Sequence, residues 1–433
     1  MNILLITHHY EPELGAPQRR WSALIQRWMQ DGHSVTVCCP PPHYPDKTST
    51  QNLRKNSSQI FRRTSGRHGE TLIRMPYLLH GYHSIPRTLD QMITAAGTVG
   101  YCAVQRVQHV LRRWRNSENS REHSFDVVIS TVPGIPSLFA GVVVSKLWGI
   151  EHIAEMRDAW PDIITGDITS QTRKLPWYRH FIKRSIHATI TYCQRQAGAV
   201  VVTTEHFSDV LKERGIHPVF VVPNGAEPQE FEQAQPLQLT ERHRHELRLQ
   251  YLGTVGRSQG LRVVLDALKI LEHKRPGQRF ILRIIGEGAE IPVLKQLAQK
   301  ENLEVHFLPP VPRKDLGEAY AWADVHLVSL RKTKPFAWTV PSKIFELLAT
   351  RRRIIALVDG SAAKLLEQSG VATVIPPQNS SALADALADL NAYPEDLIVG
   401  ESGVKLLKER YSYNTMAELY QKALDFCQQH RTG

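Results

Sequence analysis

Residues 339–356 read TVPSKIFELLATRRRIIA and predict a helix that begins near Ser342 and runs into a short apolar strand. Pro341 suits such a start, because proline fixes a backbone angle that a helix also uses. The first turn of a helix has unpaired N–H groups and partial positive charge, so it can bind a phosphate. Glu346, expected two turns into the helix, can accept hydrogen bonds from a pair of hydroxyls. Together these features predict a nucleotide-sugar site.

Short apolar strands alternate with helical patterns on both sides of this segment. The predicted strands are residues 2–6, 33–38, 126–130, 151–154, 199–203, 247–252, 280–285, 305–308, 325–328 and 354–358. Helical spacing of apolar residues fills most of the intervals, as in residues 18–30, 136–148 and 261–271. The pattern predicts an α/β protein with doubly wound, Rossmann-like parallel sheets, in which ligands bind beyond the carboxyl ends of the strands.

The length of 433 residues predicts two domains, because it exceeds what one ordinary core accommodates. We expect Rossmann-like domains at residues 1–222 and 246–410, joined by a polar linker at residues 223–245 where the apolar periodicity is lost. Residues 411–433 are expected to form a helix that packs back toward the first domain. Residues 40–58, rich in Pro, Ser, Thr and Asn, predict a mobile surface loop.

The composition is that of an ordinary globular protein, with 42% hydrophobic and 22% charged residues. The net charge of +11 favours anionic partners. A nucleic-acid partner is not expected, since no helix-turn-helix, zinc or RNA-recognition signature is present. The five cysteines form no CxxC pair, which predicts free thiols, no disulfide and no zinc. Without a signal peptide or a bilayer-length apolar run, we expect a cytoplasmic protein.

The 339–356 segment resembles the donor-binding helix of the family 4 glycosyltransferases. These are retaining enzymes of the GT-B architecture, in which two Rossmann-like domains face each other across a cleft. Residues 1–20 are similar to the family's first strand and glycine loop, and residues 251–260 and 282–288 to the opening strands of its second domain. The late motif, Pro-Ser-Lys-x-x-Glu, resembles that of the subgroup that builds bacterial surface polysaccharides such as O-antigen.

This resemblance implies a transferase that moves a hexosyl or N-acetylhexosaminyl group. The donor would be a UDP- or GDP-linked sugar held by residues 246–410, and the acceptor a hydroxyl of a lipid-linked glycan held by residues 1–222. It implies lipopolysaccharide or related polysaccharide synthesis on the inner face of the plasma membrane. Neither a cofactor nor a metal is required, because arginine, lysine and helix ends would neutralise the departing diphosphate.

In the first domain, Gly15 and Ala16 lie between the first strand and the first helix. Glycine there would let the backbone approach a diphosphate; the alternative is a tight turn that needs an unusual backbone angle. Residues 155–162 read EMRDAWPD and predict a loop of clustered charges at the end of a strand. The resemblance makes Arg157 and Asp158 candidates for the reaction centre. The alternative is a salt-bridged loop with Trp160 in the core.

In the second domain, the glycine loop at residues 253–260 departs from the family pattern. Many members carry Arg after the first glycine and Lys before the last, where this chain has Thr254 and Gln259. Arg257 in the same loop and Lys343 at the start of the late helix are candidates to replace those cations. For Arg257 the alternative is a solvated loop arginine.

Three further positions complete the predicted donor site. Gly286 and Gly288 lie at a strand-to-helix junction, where we expect a base-side or structural role. Ser342 would offer backbone groups to phosphate, and Glu346 would bind the ribose. The family usually has another glutamate eight positions before Glu346, near the donor sugar, but this chain has Trp338 there.

Two basic amphipathic segments admit two interpretations. Residues 98–115 place apolar side chains at helical spacing among arginines, and residues 178–193 repeat the pattern. They predict either helices that lie against anionic lipid headgroups or ordinary helices with a core stripe and a solvated face.

Two other functions remain open from the sequence alone. A nucleotide-sugar epimerase can use the same architecture, because a fold does not determine a reaction. A non-catalytic, donor-binding partner subunit would explain Thr254, Gln259 and Trp338 at positions where the family has charged residues.

Overall fold

The computed structural model describes residues 1–13, 15–42, 58–79, 84–115, 124–163 and 177–430. The chain divides into two compact units: unit 1 comprises Met1–Pro223 and Met416–Gly433, and unit 2 comprises Asn224–Thr415. Residues 43–57, most of the predicted surface loop, lie outside the described part.

Unit 1 contains a parallel sheet with one antiparallel edge strand. Its strands are β1 (Asn2–Ile6), β2 (Ser34–Cys39), β3 (Arg63–Ser65), β4 (Thr71–Arg74), β5 (Val127–Val132), β6 (Glu151–Met156), β7 (Ala199–Val202) and β8 (Val219–Val221). They lie in the order β3-β4-β2-β1-β5-β6-β7-β8, and only the β3–β4 pair among them is antiparallel. The strand order reverses beside β1, which is where ligands bind in such sheets.

The helices of unit 1 connect these strands. They are α1 (Ala16–Gln30), α2 (Ser84–Arg115), α3 (Ile135–Trp148), α4 (Trp177–Gln196) and α5 (Glu205–Glu213). In α1, Trp21, Leu24, Ile25 and Trp28 are buried at helical spacing, so this helix buries one apolar stripe. No described helix has both the length and the apolar character needed to cross a bilayer.

Unit 2 contains a six-stranded parallel sheet in the order β11-β10-β9-β12-β13-β14. Its strands are β9 (Glu246–Leu252), β10 (Arg279–Ile285), β11 (Val305–Leu308), β12 (Val325–Ser329), β13 (Arg353–Leu357) and β14 (Ala372–Ile375). The order reverses between β9 and β12. The two parallel-sheet α/β domains expected from the sequence are thereby confirmed.

Helices cover this second sheet. They are α6 (Arg262–Lys274), α7 (Ile291–Lys300), α8 (Leu316–Ala321), α9 (Lys334–Ala337), α10 (Lys343–Leu348), α11 (Gly360–Ser369), α12 (Ser380–Ala392) and α13 (Ser402–Arg410). The segment predicted as a linker belongs to unit 2 from Asn224 onward. It contains short 3-10 helices at Pro228–Phe231 and Glu241–Arg244. The buried Phe231 ring packs against Tyr320, at 5.8 Å between centroids.

The last helix, α14 (Tyr413–His430), belongs to unit 1 from Met416 onward. Its Tyr420 ring lies 6.2 Å from Trp21 and 5.2 Å from Trp28 of α1, and Phe426 lies 5.7 Å from Phe220 of β8. These aromatic contacts hold the helix against α1 and β8, because large rings remove much apolar surface from water.

Candidate active site

In unit 2 the candidate donor residues lie beyond the carboxyl ends of β9 and β10. The loop after β9 is held to the loop after β10 by hydrogen bonds from the Gly253 N–H to the Ile285 carbonyl (2.9 Å) and from the Val255 N–H to the Glu287 carbonyl (2.8 Å). A methyl group on Gly286 would lie 2.0 Å from the Gly253 carbonyl oxygen, and one on Gly288 would lie 2.1 Å from that of Val255. Both glycines therefore permit a close backbone approach.

Lys343 lies at the start of α10 and points back to this loop. Its Nζ is 3.7 Å from the centre of the Tyr251 ring, a cation–π contact. A methyl group on Gly253 would come within 2.8 Å of the same Nζ, so the glycine leaves room for the ammonium group. Burial lowers the pKa of Lys343 to about 7, and the nearby Glu346 carboxylate opposes that shift. A diphosphate bound here would restore the favoured charged form.

Glu346 is buried, with 5% of its surface exposed. Its Oε2 accepts a 2.7 Å hydrogen bond from the hydroxyl of Tyr320 on α8, which itself lies in the core. The prediction that Glu346 lies two turns into the helix is wrong. Helix α10 is only six residues long, Ser342 precedes it, and Glu346 occupies its first turn. Lys343 and Glu346 are therefore adjacent on one short helical turn.

The other predicted residues of the glycine loop have different surroundings. Arg257 is 85% exposed at its side chain and lies 3.6 Å from the Glu290 carboxylate. Thr254 is exposed, and its carbonyl accepts a 2.6 Å hydrogen bond from the Tyr251 hydroxyl. The Gln259 Oε1 accepts from the Gly256 N–H at 3.1 Å, which closes the loop on itself. Of the two candidate cations, Lys343 is the one held by packing.

In unit 1, Gly15 caps α1 and Ala16 is its first residue. The backbone of Gly15 is extended, with φ of 175°, so the alternative that this glycine serves an unusual turn angle is wrong. A methyl group there would lie 2.4 Å from the Gln18 Oε1, at the far end of a side chain. Helix α1 directs its N-terminus, with its partial positive charge, toward the carboxyl edge of the sheet.

A buried charge cluster lies behind this helix start. The Arg20 Nε donates to Glu155 Oε1 at 3.0 Å, and its other nitrogens donate to the carbonyls of Val222 (3.0 Å) and Pro223 (2.8 Å). The prediction that Glu155 belongs to a loop is wrong, since it lies within β6 and is fully buried. Arg20 compensates that buried carboxylate.

Arg157 follows β6 directly and is 8% exposed. Its Nε lies 4.0 Å from Glu155 Oε1, while its Nε and Nη1 make no hydrogen bond to described protein atoms. Burial, and secondarily Arg20, lower the pKa of Arg157 to about 10. Two guanidinium groups thus share one carboxylate, which leaves positive charge and hydrogen-bond donors at the edge of the sheet.

The remaining carboxylates of this segment differ in their partners. Burial raises the pKa of Asp158, and Arg157 opposes the shift. Asp162 accepts two 2.8 Å hydrogen bonds from Arg214, so it belongs to a structural ion pair. This agrees with the alternative interpretation of residues 155–162 as a salt-bridged loop. Trp160 is only half-buried, which that interpretation did not expect.

The sequence analysis missed several residues that shape these sites. The His8 Nε2 lies 2.9 Å from Asp90 Oδ2 beyond the end of β1, and both side chains are buried. Asp90 is the one carboxylate in α2, and an isolated acidic residue in a basic helix could have been recognised from the sequence. Tyr320 and Tyr251 gave no such signal, because their contacts with Glu346 and Lys343 join distant segments. Within the described residues, no group of three or more His, Cys, Asp or Glu side chains could hold a metal ion.

Family comparisons agree with this arrangement. Residues 15–225 match the protein family described as "Glycosyl transferase 4-like domain", and residues 246–392 match "Glycosyl transferases group 1". The chain belongs to the family 4 glycosyltransferases. All but the last two residues of the first matched segment fall in unit 1, and the second segment falls in unit 2, so this glycosyltransferase is an enzyme with one family domain in each unit.

Two curated relatives of this glycosyltransferase are bacterial. The putative colanic acid biosynthesis glycosyl transferase WcaI of Escherichia coli K12 is 23% identical over 414 residues, 91% of this chain and 93% of the relative. The probable glycosyltransferase WbjE of Pseudomonas aeruginosa is 26% identical over 144 residues, 33% of this chain. That second match spans only 35% of the length of WbjE.

Solved structures show the same GT-B architecture. Sucrose-phosphate synthase from Thermosynechococcus elongatus has a TM-score of 0.68 at 16% identity, covering 98% of this chain and 99% of that structure. Anabaena HepE, solved in complex with UDP-glucose, has a TM-score of 0.64 at 14% identity, covering 98% and 99%. At these identities the likeness establishes the fold of this glycosyltransferase.

Proposed function

We propose that this glycosyltransferase moves a sugar, with retention of configuration, from a nucleoside-diphosphate sugar to a hydroxyl of a lipid-linked bacterial glycan. The observation that carries the donor assignment is the pair formed by Lys343 and Glu346 at the carboxyl edge of the unit 2 sheet. One turn of α10 presents a cation suited to a diphosphate and a carboxylate suited to a ribose. Tyr251 and Tyr320 hold the two side chains in place.

The reaction requires charge stabilisation more than acid–base chemistry. The bond between the anomeric carbon and the diphosphate breaks, a bond to the acceptor oxygen forms, and the negative charge develops on the departing diphosphate. Lys343 and the backbone groups of Ser342 would stabilise that charge, which lowers the barrier because they interact most strongly with the transition state. In unit 1, Gly15 and Ala16 at the start of α1 and the cationic Arg157 offer backbone groups and positive charge of the kind that binds phosphate.

Arg157 and Asp158 are proposed to align the acceptor hydroxyl. The guanidinium of Arg157 has two buried donors, Nε and Nη1, that make no hydrogen bond to described protein atoms, and a raised pKa lets Asp158 exchange a proton closer to neutrality. Arg257 is a less favourable candidate than Lys343 for binding the diphosphate, since it is exposed and faces Glu290. The scheme uses no metal ion and no cofactor.

The relatives support the choice of substrates. HepE was solved with UDP-glucose, which favours a UDP-linked donor, with a GDP-linked donor as the second candidate. WcaI is named for colanic acid biosynthesis, which favours a bacterial polysaccharide as the acceptor.

A membrane location for unit 1 is proposed from an exposed apolar stripe along α2. This helix is 32 residues long, about 48 Å. One side of it exposes residues at steps of three and four: Ile85, Leu89, Met92, Ala96, Gly100, Val104, Val107, Leu111 and Trp114. Trp114 is 90% exposed. An ordinary helix with its apolar stripe in the core would bury these side chains instead.

Two neighbouring helices extend this surface. Helix α3 packs against α2 and exposes Phe139, Val143 and Leu147, and α4 packs against α3 and exposes Phe181, Ile182 and Tyr192. The only carboxylate in the three helices is Asp90, which is buried against His8. Exposed cations include Arg112, Lys146 and Arg184. An apolar surface with excess positive charge suits an anionic bilayer, on which each cation contributes about 1 kcal/mol.

Vesicle binding tests this location. The double variant L111S/W114S should lose at least ten-fold in partitioning to phosphatidylglycerol-containing vesicles, and Arg112→Glu should weaken it further at low salt. Val293→Ser removes a comparably exposed apolar residue from α7 of unit 2 and should change nothing. Unaltered sedimentation of the double variant with vesicles would exclude the membrane assignment.

Donor binding tests the central proposal. UDP- and GDP-linked sugars are screened by thermal stabilisation of the purified protein, since a ligand raises the stability of the folded state that binds it. Glu346→Gln should abolish most of the stabilisation, whereas Glu367→Gln, an exposed glutamate on α11, should retain it. A donor that stabilises Glu346→Gln as strongly as the wild type would contradict the assignment.

Product analysis separates the reaction from its alternatives. Incubation of the donor without an acceptor should give only slow hydrolysis, whereas an epimerase would convert the free donor. A non-catalytic subunit would bind the donor without turnover when an acceptor glycan is supplied.

A further inference from the structure

Three charged side chains meet at the carboxyl end of β6, and their contacts are unequal. The Arg20 Nε donates to Glu155 Oε1 at 3.0 Å. The Arg157 Nε lies 4.0 Å from the same oxygen and makes no hydrogen bond to described protein atoms. The second oxygen, Glu155 Oε2, is buried and also makes none. A buried carboxylate and a guanidinium with open donors thus lie near each other without the hydrogen bond that such groups normally form.

The backbone of Arg157 is anchored, whereas nothing in its hydrogen bonding fixes Nε or Nη1. Its carbonyl accepts a 3.2 Å hydrogen bond from the hydroxyl of Thr203, which follows β7. Glu155 precedes Arg157 by two positions, so the two side chains leave the chain on the same side. A rotation about side-chain bonds would bring the guanidinium to hydrogen-bond distance of Glu155, roughly 2.8 Å.

Arg20 opposes that movement because it carries the same charge and already occupies Glu155. Burial first, and Arg20 second, lower the pKa of Arg157, since two cations beside one carboxylate repel each other. Arg20 is itself held in place: it donates to the carbonyls of Val222 and Pro223 and to Met416 Sδ at 3.2 Å. These partners come from two segments far from α1 in the sequence, so the position of Arg20 is fixed by the fold.

We propose that Arg20 is a positioning residue for the transfer reaction: it neutralises Glu155, so that this carboxylate does not pair with Arg157. The guanidinium of Arg157 then stays available to the substrate. Without Arg20, Glu155 would be a fully buried charge with Arg157 beside it, and the two would close into an ion pair. The proposal rests on the proposed function only for what Arg157 does to the substrate.

Crystal structures of the full chain test this competition without any substrate. In Arg20→Gln, which removes the positive charge, the Arg157 Nε should move to within about 3.2 Å of a Glu155 oxygen. In Arg20→Lys, which keeps the charge, it should stay near the present 4.0 Å. Arg27→Gln, which changes a half-buried arginine of the same helix, should leave that distance unaltered. An unchanged separation in Arg20→Gln would overturn the proposal.

Kinetics measure the consequence for the reaction, with UDP-glucose as the probe and UDP release as the signal. The kcat of Arg20→Gln should fall about ten-fold while KM changes less than about two-fold, because Arg157 acts on the transition state and Lys343 with Glu346 keeps the donor. Arg20→Lys should retain most of the wild-type kcat. The double variant R20Q/E155Q should recover kcat as well, because the carboxylate that pairs with Arg157 is gone. A purely structural role would lower thermal stability without separating kcat from KM.

The double variant also decides the case in which Arg20→Gln does not fold, because it removes both charges of the ion pair. A folded R20Q/E155Q with a kcat as low as that of Arg157→Ala would overturn the proposal. Equal losses of kcat in Arg20→Lys and Arg20→Gln would do the same. If the wild type releases no UDP from UDP-glucose, the proposed donor chemistry fails, and the distances in the crystal structures still decide the role of Arg20.

Discussion

Single residues in this chain have properties set by burial more than by their own chemistry. Lys343 is the main example, because the Tyr251 ring and the glycine loop exclude water from a side chain that is normally solvated. Its pKa of about 7 means that the free enzyme is only partly charged at this position near neutrality. Lys343 would therefore take up a proton when an anionic ligand binds beside it.

The donor affinity should therefore depend on pH. Because the folded-state pKa of Lys343 is lowered, the neutral form predominates above pH 7, and affinity for a nucleoside diphosphate should fall by up to about ten-fold per pH unit between pH 7 and 9. In Lys343→Arg the cation persists and the dependence should flatten. Calorimetric titration at pH 6.5, 7.5 and 8.5 measures the donor affinity of the wild type and of Lys343→Arg. An equally steep profile in Lys343→Arg would assign the titration to another group.

In unit 1, burial likewise makes Arg20 important for the stability of the fold. Arg20→Met should lower the free energy of unfolding by about 3–5 kcal/mol, because it leaves the Glu155 carboxylate buried without its partner. Arg27→Met, in the same helix, replaces a half-buried arginine that donates to the Ala23 carbonyl and should cost far less. Denaturant unfolding measures the difference. The double variant R20M/E155Q should recover part of the loss, and equal costs for the two arginines would refute this role.

At the scale of elements, the unit 2 site depends on two loops that touch through their backbones. The loop after β9 can approach the loop after β10 only because Gly286 and Gly288 lack side chains. Both also have φ values that favour glycine, 142° and 157°. The contact fixes where Gly253 lies, and hence the space that Lys343 occupies.

Gly288→Ala should disturb this contact. The added methyl group would lie 2.1 Å from the Val255 carbonyl oxygen, so we expect a loss of about 1–3 kcal/mol in unfolding free energy and weaker donor binding. Gly277→Ala is the matched control: its φ of 85° is equally unfavourable for alanine, but no atom lies within 4 Å. Thermal unfolding and donor titration compare the two. Similar donor affinities would show that the close approach is unimportant.

The sequence predicted elements well and long-range partners poorly. The strands and the Lys343–Glu346 motif follow from local spacing, and the parallel-sheet architecture is confirmed. Glu155 was expected in a loop because it begins the run of clustered charges that follows an apolar strand; its compensating Arg20 lies 135 positions away. The same holds for Tyr320, which is 26 positions from Glu346. Local patterns cannot reveal a carboxylate that a distant side chain satisfies.

For the whole molecule, two buried histidines make the free energy of unfolding depend on pH in the acidic range. Burial lowers the pKa values of His152 and His326 to about 3, one in each unit. His152 Nε2 lies 2.7 Å from the Ser130 hydroxyl, while Arg352 adds to the shift at His326. Both side chains are therefore neutral in the folded protein near pH 7.

The protein should lose stability as the pH falls from about 6.5 to 3. In that window the unfolded chain binds protons that the folded chain cannot, so each histidine should cost about 2 kcal/mol by pH 5. His152→Gln should reduce the slope of stability against pH, while His273→Gln, on the exposed side of α6, should leave it unchanged. Urea unfolding at several pH values provides the measurement, and parallel slopes for all three proteins would contradict the explanation.

The return of α14 to unit 1 has a consequence for how the chain is made. Ribosomes release the polypeptide from its first residue onward, so Trp21 and Trp28 leave the exit tunnel almost 400 positions before Tyr420 can cover them. Unit 2 is complete by Thr415 and can finish folding first. The part of unit 1 that precedes unit 2 therefore waits, with two tryptophans not yet covered by Tyr420, for a segment that is made after unit 2, and exposed apolar surface of this kind is what chaperones bind.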